Sequence, residues 1–179
     1  MVLGPKTLLQ LVKKNKLVEN LSERELTNPE GAGFDLRLAE VYKISGKSFL
    51  GVTERHTSEV TLVKKYEEGK TTQIVIKPGD FYLIKTIEDV NMPENLTASI
   101  TSRSTLYRSG LMLQVGNVPP GYCGGLNFGL KNIGPVPVTI ELGSRIVHIQ
   151  FHEVAGGGNM YRGQWQGGRV TTTKKEKQV

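Results

Sequence analysis

The chain is 179 residues long, with 23 Lys+Arg against 17 Asp+Glu and a formal charge of +6. That length suits one domain, the modest positive excess is compatible with anionic nucleotides, nucleic acid or solubility alone, and Cys123, the single cysteine, excludes an intrachain disulfide and fits a reducing compartment. No apolar run is long enough to cross a bilayer as a helix and no leader pattern is present, so a soluble cytoplasmic protein without membrane contact is expected.

Residues 5–16 predict a short helix, with Leu8, Leu9, Leu11 and Val12 on one face and lysines outside. Asn20-Leu21-Ser22-Glu23 reads as a connector with a possible cap. After the turn-rich 28–33, Phe34-Asp35-Leu36-Arg37-Leu38 alternates apolar and charged residues as a strand does. Residues 46–70 are polar, with a strand at 60–63 and a hairpin turn at Glu67-Glu68-Gly69-Lys70. Further strands are expected at 72–76, 81–84, 96–101, 111–115, 126–131, 136–140 and 146–151. The turns between them carry Pro, Gly, Asn or Asp, as in Lys77-Pro78-Gly79-Asp80 and Val118-Pro119-Pro120-Gly121-Tyr122. Many short strands with regular turn signals predict an all-β fold, a jelly roll or distorted barrel. Residues 159–179 follow a glycine-rich break and lack apolar periodicity. They form either a disordered tail or an arm ordered by a ligand or a neighbouring subunit, so the expected division is 1–158 for the β domain and 159–179 for a C-terminal arm.

The stretch 99–151 carries the chemistry. Ser102-Arg103-Ser104-Thr105-Leu106-Tyr107-Arg108 places hydroxyls and guanidinium groups beside flexible backbone, a composition suited to polyphosphate oxygens. By composition alone, a polar loop with a structural arginine is the competing reading. Asn117 and Asn127 supply amides able to read a base edge, and Tyr122 a ring able to stack on a sugar or simply to pack in a strand. Tyr161, Gln164, Gln166 and Arg169 lie in a glycine-punctuated segment able to fold over a ligand, with Trp165 as an anchor. The three histidines are too scattered for a transition-metal centre, and only 7% of residues are aromatic, which argues against a single-strand nucleic-acid platform.

Five motifs in order resemble the dCTP deaminase/dUTPase superfamily, most of all its archaeal deaminase-type branch. They are Ala32-Gly33-Phe34-Asp35-Leu36-Arg37-Leu38; Ser102 to Arg108 with Ser109-Gly110; the hairpin 116–132; Gly143-Ser144-Arg145-Ile146 with Gln150-Phe151; and Tyr161-Arg162-Gly163-Gln164-Trp165-Gln166-Gly167-Gly168-Arg169. The resemblance implies a distorted jelly-roll dUTPase fold, a homotrimer with sites between subunits, and a deoxyribonucleoside triphosphate (dUTP or dCTP) bound with Mg²⁺. It gives Ser104 and Arg108 roles at the reacting centre, makes Asp35 a catalytic candidate whose alternative is pairing with an arginine in structural support of the site, and gives substrate contacts to Ser102, Arg103, Asn117, Tyr122, Asn127, Tyr161, Gln164, Gln166 and Arg169. It names no protein ligand for the metal.

The leading activity it implies is hydrolysis of dUTP to dUMP and diphosphate. The alternatives are deamination of dCTP to dUTP and ammonia, and a catalytically silent nucleotide-binding trimer. The third arises because Pro119 and Gly129 stand where the resemblance places the two catalytic acids, and no carboxylate occurs anywhere in 116–140. Neither residue has a side chain able to take a proton.

Overall fold

The computed structural model describes residues 1–178. Its elements in chain order are α1 (Pro5–Asn15), β1 (Val18–Glu19), α2 (Glu23–Thr27), β2 (Phe34–Ser45), β3 (Phe49–Leu50), β4 (Glu54–His56), β5 (Glu59–Lys65), β6 (Gln73–Ile76), β7 (Phe81–Asn91), β8 (Leu96–Ser102), α3 (Ser104–Arg108), β9 (Leu111–Gln114), β10 (Cys123–Asn132), β11 (Val138–Glu141), β12 (Arg145–Glu153) and β13 (Glu176–Lys177). The principal sheet has eight strands in the order β8-β12-β2-β7-β10-β9, with β1 added to β7 and β5 to β2. It curls into a nearly closed, barrel-like jelly roll, the all-β architecture the sequence predicts. Two small sheets complete the fold, β11-β6 and β13-β4-β3.

Alternation sets which face is inside. Along β7, Tyr82, Ile84, Thr86, Glu88 and Val90 are buried at every second position. Glu88 is fully buried on that apolar face, and it is tolerated because Arg37 Nε and N donate to its two oxygens at 2.6 and 2.7 Å. Phe34 of β2 and Phe151 of β12 meet edge to face, 6.3 Å between ring centroids, in the same core. α1 begins with Pro5 at its first position, buries Leu8, and stops at Lys16, whose φ of 54° is left-handed. The chain on either side of it is tied to the barrel, Val2 bridging His152 and β1 pairing β7.

Several elements differ from the sequence expectation. The connector at 20–23 leads into a helical turn, α2, that buries Glu25, and the polar motif at 102–108 winds into α3 with Leu106 in the core. Glu67 to Lys70 does turn, Lys70 N–H donating to Glu67 O at 3.1 Å. The flanking strands β5 and β6 lie in different sheets, so it is not a hairpin turn. The strand expected at 81–84 runs on to Asn91 because β10 and β2 continue to pair with it. The described part of the C-terminal segment returns to the β domain, where β13 pairs with β4.

Candidate functional site

Asp35 is placed on β2 by the alternation of its neighbours, yet its side chain meets an ionic cluster instead of solvent. Its carboxylate is 1% exposed. Arg103 Nη1 donates to Oδ2, Arg145 Nη1 donates to the same oxygen at 2.9 Å, and Arg24 Nη1 stands 3.8 Å away. His148 Nδ1 lies 3.0 Å from Oδ1. A carboxylate only accepts, so Nδ1 carries the proton. Burial holds the His148 pKa below its usual value, and the Arg103 charge acts in the same direction against Glu25 and Glu30. Glu25 completes the cluster: it accepts the Asp35 N–H at 3.0 Å and pairs with Arg24. Oδ2 is committed to arginines, Oδ1 faces the His148 N–H and the side chain is shut off from water, which is the pairing with arginine that the sequence offered beside a chemical role.

Gly33 lets β2 come this close to β12. A Cβ there would lie 2.0 Å from Ile149 O and 2.7 Å from His148 Nε2.

Ser104 and Arg108 sit on α3 and are exposed, Arg108 over the Tyr107 ring at 5.9 Å. Ser102 ends β8 opposite Val147 and is half-buried. Arg103, besides bonding Asp35, lines a cavity of about 500 Å³ with Thr105, Ser109, Glu141, Ser144 and Arg145.

The hairpin and the arm build a different and larger cavity, about 630 Å³. Asn117, Pro119, Tyr122, Asn127, Tyr161, Trp165 and Arg169 line it together with Thr57 and an apolar wall that includes Leu83, Ile100 and Phe128. Its size is that of a small-molecule pocket. Tyr122 is buried, donates to Gly125 O at 2.7 Å and packs edge to face on Tyr161 at 5.4 Å. Burial pushes its pKa up to about 12, so the hydroxyl stays protonated. No carboxylate, histidine or cysteine is among the described residues lining this cavity. Ser104 and Arg108 do not line it either, so one chain does not bring the two halves of the expected site together. Gly129 lies next to it in β10, where a Cβ would come within 3.0 Å of Phe81 Cζ.

The arm is clamped over the hairpin by backbone contacts that only glycine permits. Gly124 has φ +118°, and a Cβ there would sit 2.5 Å from Gly167 C. Gly167 N–H donates to Cys123 O at 2.8 Å and Tyr161 N–H to Pro120 O at 2.7 Å. The amides and arginine expected to grip a triphosphate are engaged inside the chain. Gln166 bonds Cys123 N–H and Gly121 O, at 3.1 and 3.0 Å. Gln164 donates to Glu176 and Lys177 O, both at 2.8 Å. Arg169 holds the Glu176 carboxylate through both terminal nitrogens, at 3.1 and 2.5 Å. A reciprocal clasp, Thr57 N–H to Thr172 Oγ1 and Thr172 N–H to Thr57 Oγ1, each 2.9 Å, fixes the distal end.

Sequence reasoning missed Glu25, Arg24, Thr57 and Glu176. Arg145 was visible in its motif but carried no assigned role. Among the described residues no three His, Cys, Asp or Glu side chains gather as a metal-ligand set, and Asp35 is committed to arginines. The residues present therefore do not form a protein cage for Mg²⁺, which would have to arrive held by phosphate oxygens and water.

Residues 2–154 match the family model described as dCTP deaminase-like. The chain is 31% identical over 160 residues to a "dCTP deaminase, dUMP-forming" of Dictyoglomus thermophilum, covering 87% of this chain and 81% of that protein. It is 32% identical over 168 residues to a dCTP deaminase of Pyrococcus furiosus, covering 93% and 95%. The crystal structure of a dCTP deaminase from Agrobacterium tumefaciens superposes with a TM-score of 0.64 at 18% identity, covering 84% of this chain and 47% of that one, a likeness of fold. With its barrel, its ordered motifs and a family match over most of its length, the chain belongs to the dCTP deaminase-like family.

Proposed function

We propose that this protein binds a pyrimidine deoxyribonucleoside triphosphate, dCTP or dUTP, and does not deaminate it. The observation that carries this reading is the 630 Å³ cavity, whose described lining offers amides, aromatic rings and an arginine but no carboxylate, histidine or cysteine to shuttle a proton. The base and sugar occupy the hairpin cavity under the arm. The triphosphate reaches out to Ser104 and Arg108 of a neighbouring protomer, because in one chain these exposed residues stand outside the cavity. A homotrimer would complete three such sites. Mg²⁺ then accompanies the phosphates, and a hydroxyl and a guanidinium suit their oxygens.

The test is direct. Purified protein is titrated with dCTP and dUTP by calorimetry in Mg²⁺, and overnight incubations are resolved by anion-exchange chromatography. Saturable binding without dUTP, dUMP or diphosphate as product is expected. Turnover of dCTP to dUTP would overturn the reading.

A second reading, hydrolysis of dUTP to dUMP and diphosphate, is favoured by one observation. Glu141 shares the 500 Å³ cavity with Arg103 and Arg145, which places an acid beside basic groups. If Mg²⁺-dependent dUMP release is measured, Glu141→Gln is expected to abolish it. Retention of the rate in that variant would exclude Glu141 as the group that orients water.

A further inference from the structure

Among the described residues lining the hairpin cavity, Arg169 is the only charged one. Its guanidinium is taken up by the chain itself. Nε donates to Thr171 O at 3.0 Å, while Nη1 and Nη2 donate to the two carboxylate oxygens of Glu176 at 3.1 and 2.5 Å. Gln164 Nε2 donates to the same carboxylate at 2.8 Å. The Glu176 side chain is only 15% exposed. The Arg169 hydrogen bond, helped by the charges of Arg169, Arg55 and Lys174, holds its pKa below the usual carboxylate value, so it is ionised. A planar fork closed on two oxygens is also how a guanidinium takes a phosphate. Glu176 therefore cancels the one charge in the cavity wall and does so with a phosphate-like grip.

What keeps Glu176 there is slight. β13 is two residues long, and its ladder pairs Glu176 with Arg55 and Lys177 with Glu54. Beyond it, Gln178 N–H donates to Thr53 O at 2.9 Å. Two buried atoms of the residues gathered here, Arg55 Nε and Gln164 Oε1, have no partner, a cost that opening to water would remove. Glu176 lies beyond residues 2–154, which match the family model, and beyond the last of the five motifs, which ends at Arg169. We infer that Glu176 is an intramolecular competitor: its carboxylate contends with a ligand phosphate for Arg169, and the phosphate gains Arg169 only as β13 leaves β4. The inference rests on the nucleotide-binding reading above and adds a brake on affinity built into the chain. When the binding-competent form is a fraction of the population, the apparent affinity falls by that fraction.

The experiment measures dCTP and dUTP affinities by calorimetry in Mg²⁺ for the wild type, Glu176→Gln and Glu54→Gln, with melting curves to establish that each is folded. Hydrogen exchange is followed on the wild type with and without saturating dCTP. Glu176→Gln keeps the shape of the side chain and removes its charge. Both nucleotides are expected to bind it about tenfold more tightly, the order of one charge-assisted pair no longer broken on binding. Glu54→Gln removes the same charge from the adjacent ladder pair, where the carboxylate faces Lys175 at 3.7 Å, and its affinities stay within about twofold of the wild type. In the wild type, dCTP is expected to speed exchange at 176–178, the reverse of the protection a bound ligand usually confers. Unchanged affinity in Glu176→Gln would overturn the inference. Weaker affinity would overturn it as well, because it would assign Glu176 to holding the arm in its binding form. Equal gains in both variants would reduce the effect to net charge and overturn it too, as would unchanged or slower exchange at 176–178 with dCTP. Absence of binding of either nucleotide to both the wild type and Glu176→Gln would instead sink the nucleotide-binding reading, and the inference with it.

Discussion

At the residue scale the Asp35 cluster decides much of what the site can do. One buried carboxylate oxygen receives Arg103 and Arg145, and the other faces His148. Removing that charge leaves half-buried guanidinium groups facing one another. Asp35→Asn is therefore expected to cost about 3 kcal/mol, or roughly 10 °C in Tm, measured without nucleotide. A variant as stable as the wild type would show that the cluster is not structural. His148 gives this region a pH dependence. Its folded pKa lies below the usual 6.5, chiefly through burial, so the unfolded chain takes up its proton first as pH falls. Stability is complete above about 6.5 and declines below it, toward the folded pKa. His148→Gln keeps a donor toward Asp35 and removes the titration. Melting curves from pH 7.5 to 5.5 are expected to fall less steeply for this variant than for the wild type, and parallel slopes would contradict the assignment. Glu88 acts in the opposite sense: burial raises its pKa against the pull of Arg37, so its contribution to stability falls as pH rises.

At the element scale the arm and the hairpin behave as one unit. Gly124 packs on the backbone of Gly167 at distances that no side chain permits, while Thr57 and Thr172 exchange hydrogen bonds at the far end. Gly124→Ala is expected to release the arm while leaving the barrel intact. In hydrogen exchange, amides around 161–169 should lose protection while those of β7 and β10 keep theirs. Uniform loss of protection would mean that the arm is needed for the fold itself. α3 presents the reverse case, one helical turn whose Leu106 is anchored in the core while Ser104 and Arg108 stay exposed. An anchored backbone with outward-facing polar side chains is what the proposed contact with a neighbouring protomer needs.

At the scale of the whole molecule, the separation of α3 from the hairpin cavity predicts complementation. On the proposed reading Arg108→Ala removes a phosphate contact and Pro119→Trp fills the cavity, so each variant alone should bind triphosphate poorly. Denaturing and refolding the two together in equal amounts is expected to restore about one site in four, those pairing an intact hairpin with an intact α3 from different protomers. A mixture no better than its components would place each site within one chain.

The amino-acid sequence by itself determined the strands, α1 and most turns, because alternation, helical spacing and Pro/Gly punctuation are local. It also determined the absence of acids between 116 and 140, and through five ordered motifs the family to which the chain belongs. It did not determine α2 or α3, whose single turns are too short to carry a period and form because Glu25 and Leu106 find buried partners. It offered Asp35 an arginine partner without saying which, since Arg145 and His148 reach it from β12 paired with β2, Arg103 from the end of β8 and Arg24 from α2. The arm is the same lesson at larger size. Gln164, Gln166 and Arg169 look free in the chain, and the tertiary structure commits them to Glu176 and the hairpin, because hydrogen bonds form with whatever the folded backbone delivers within reach.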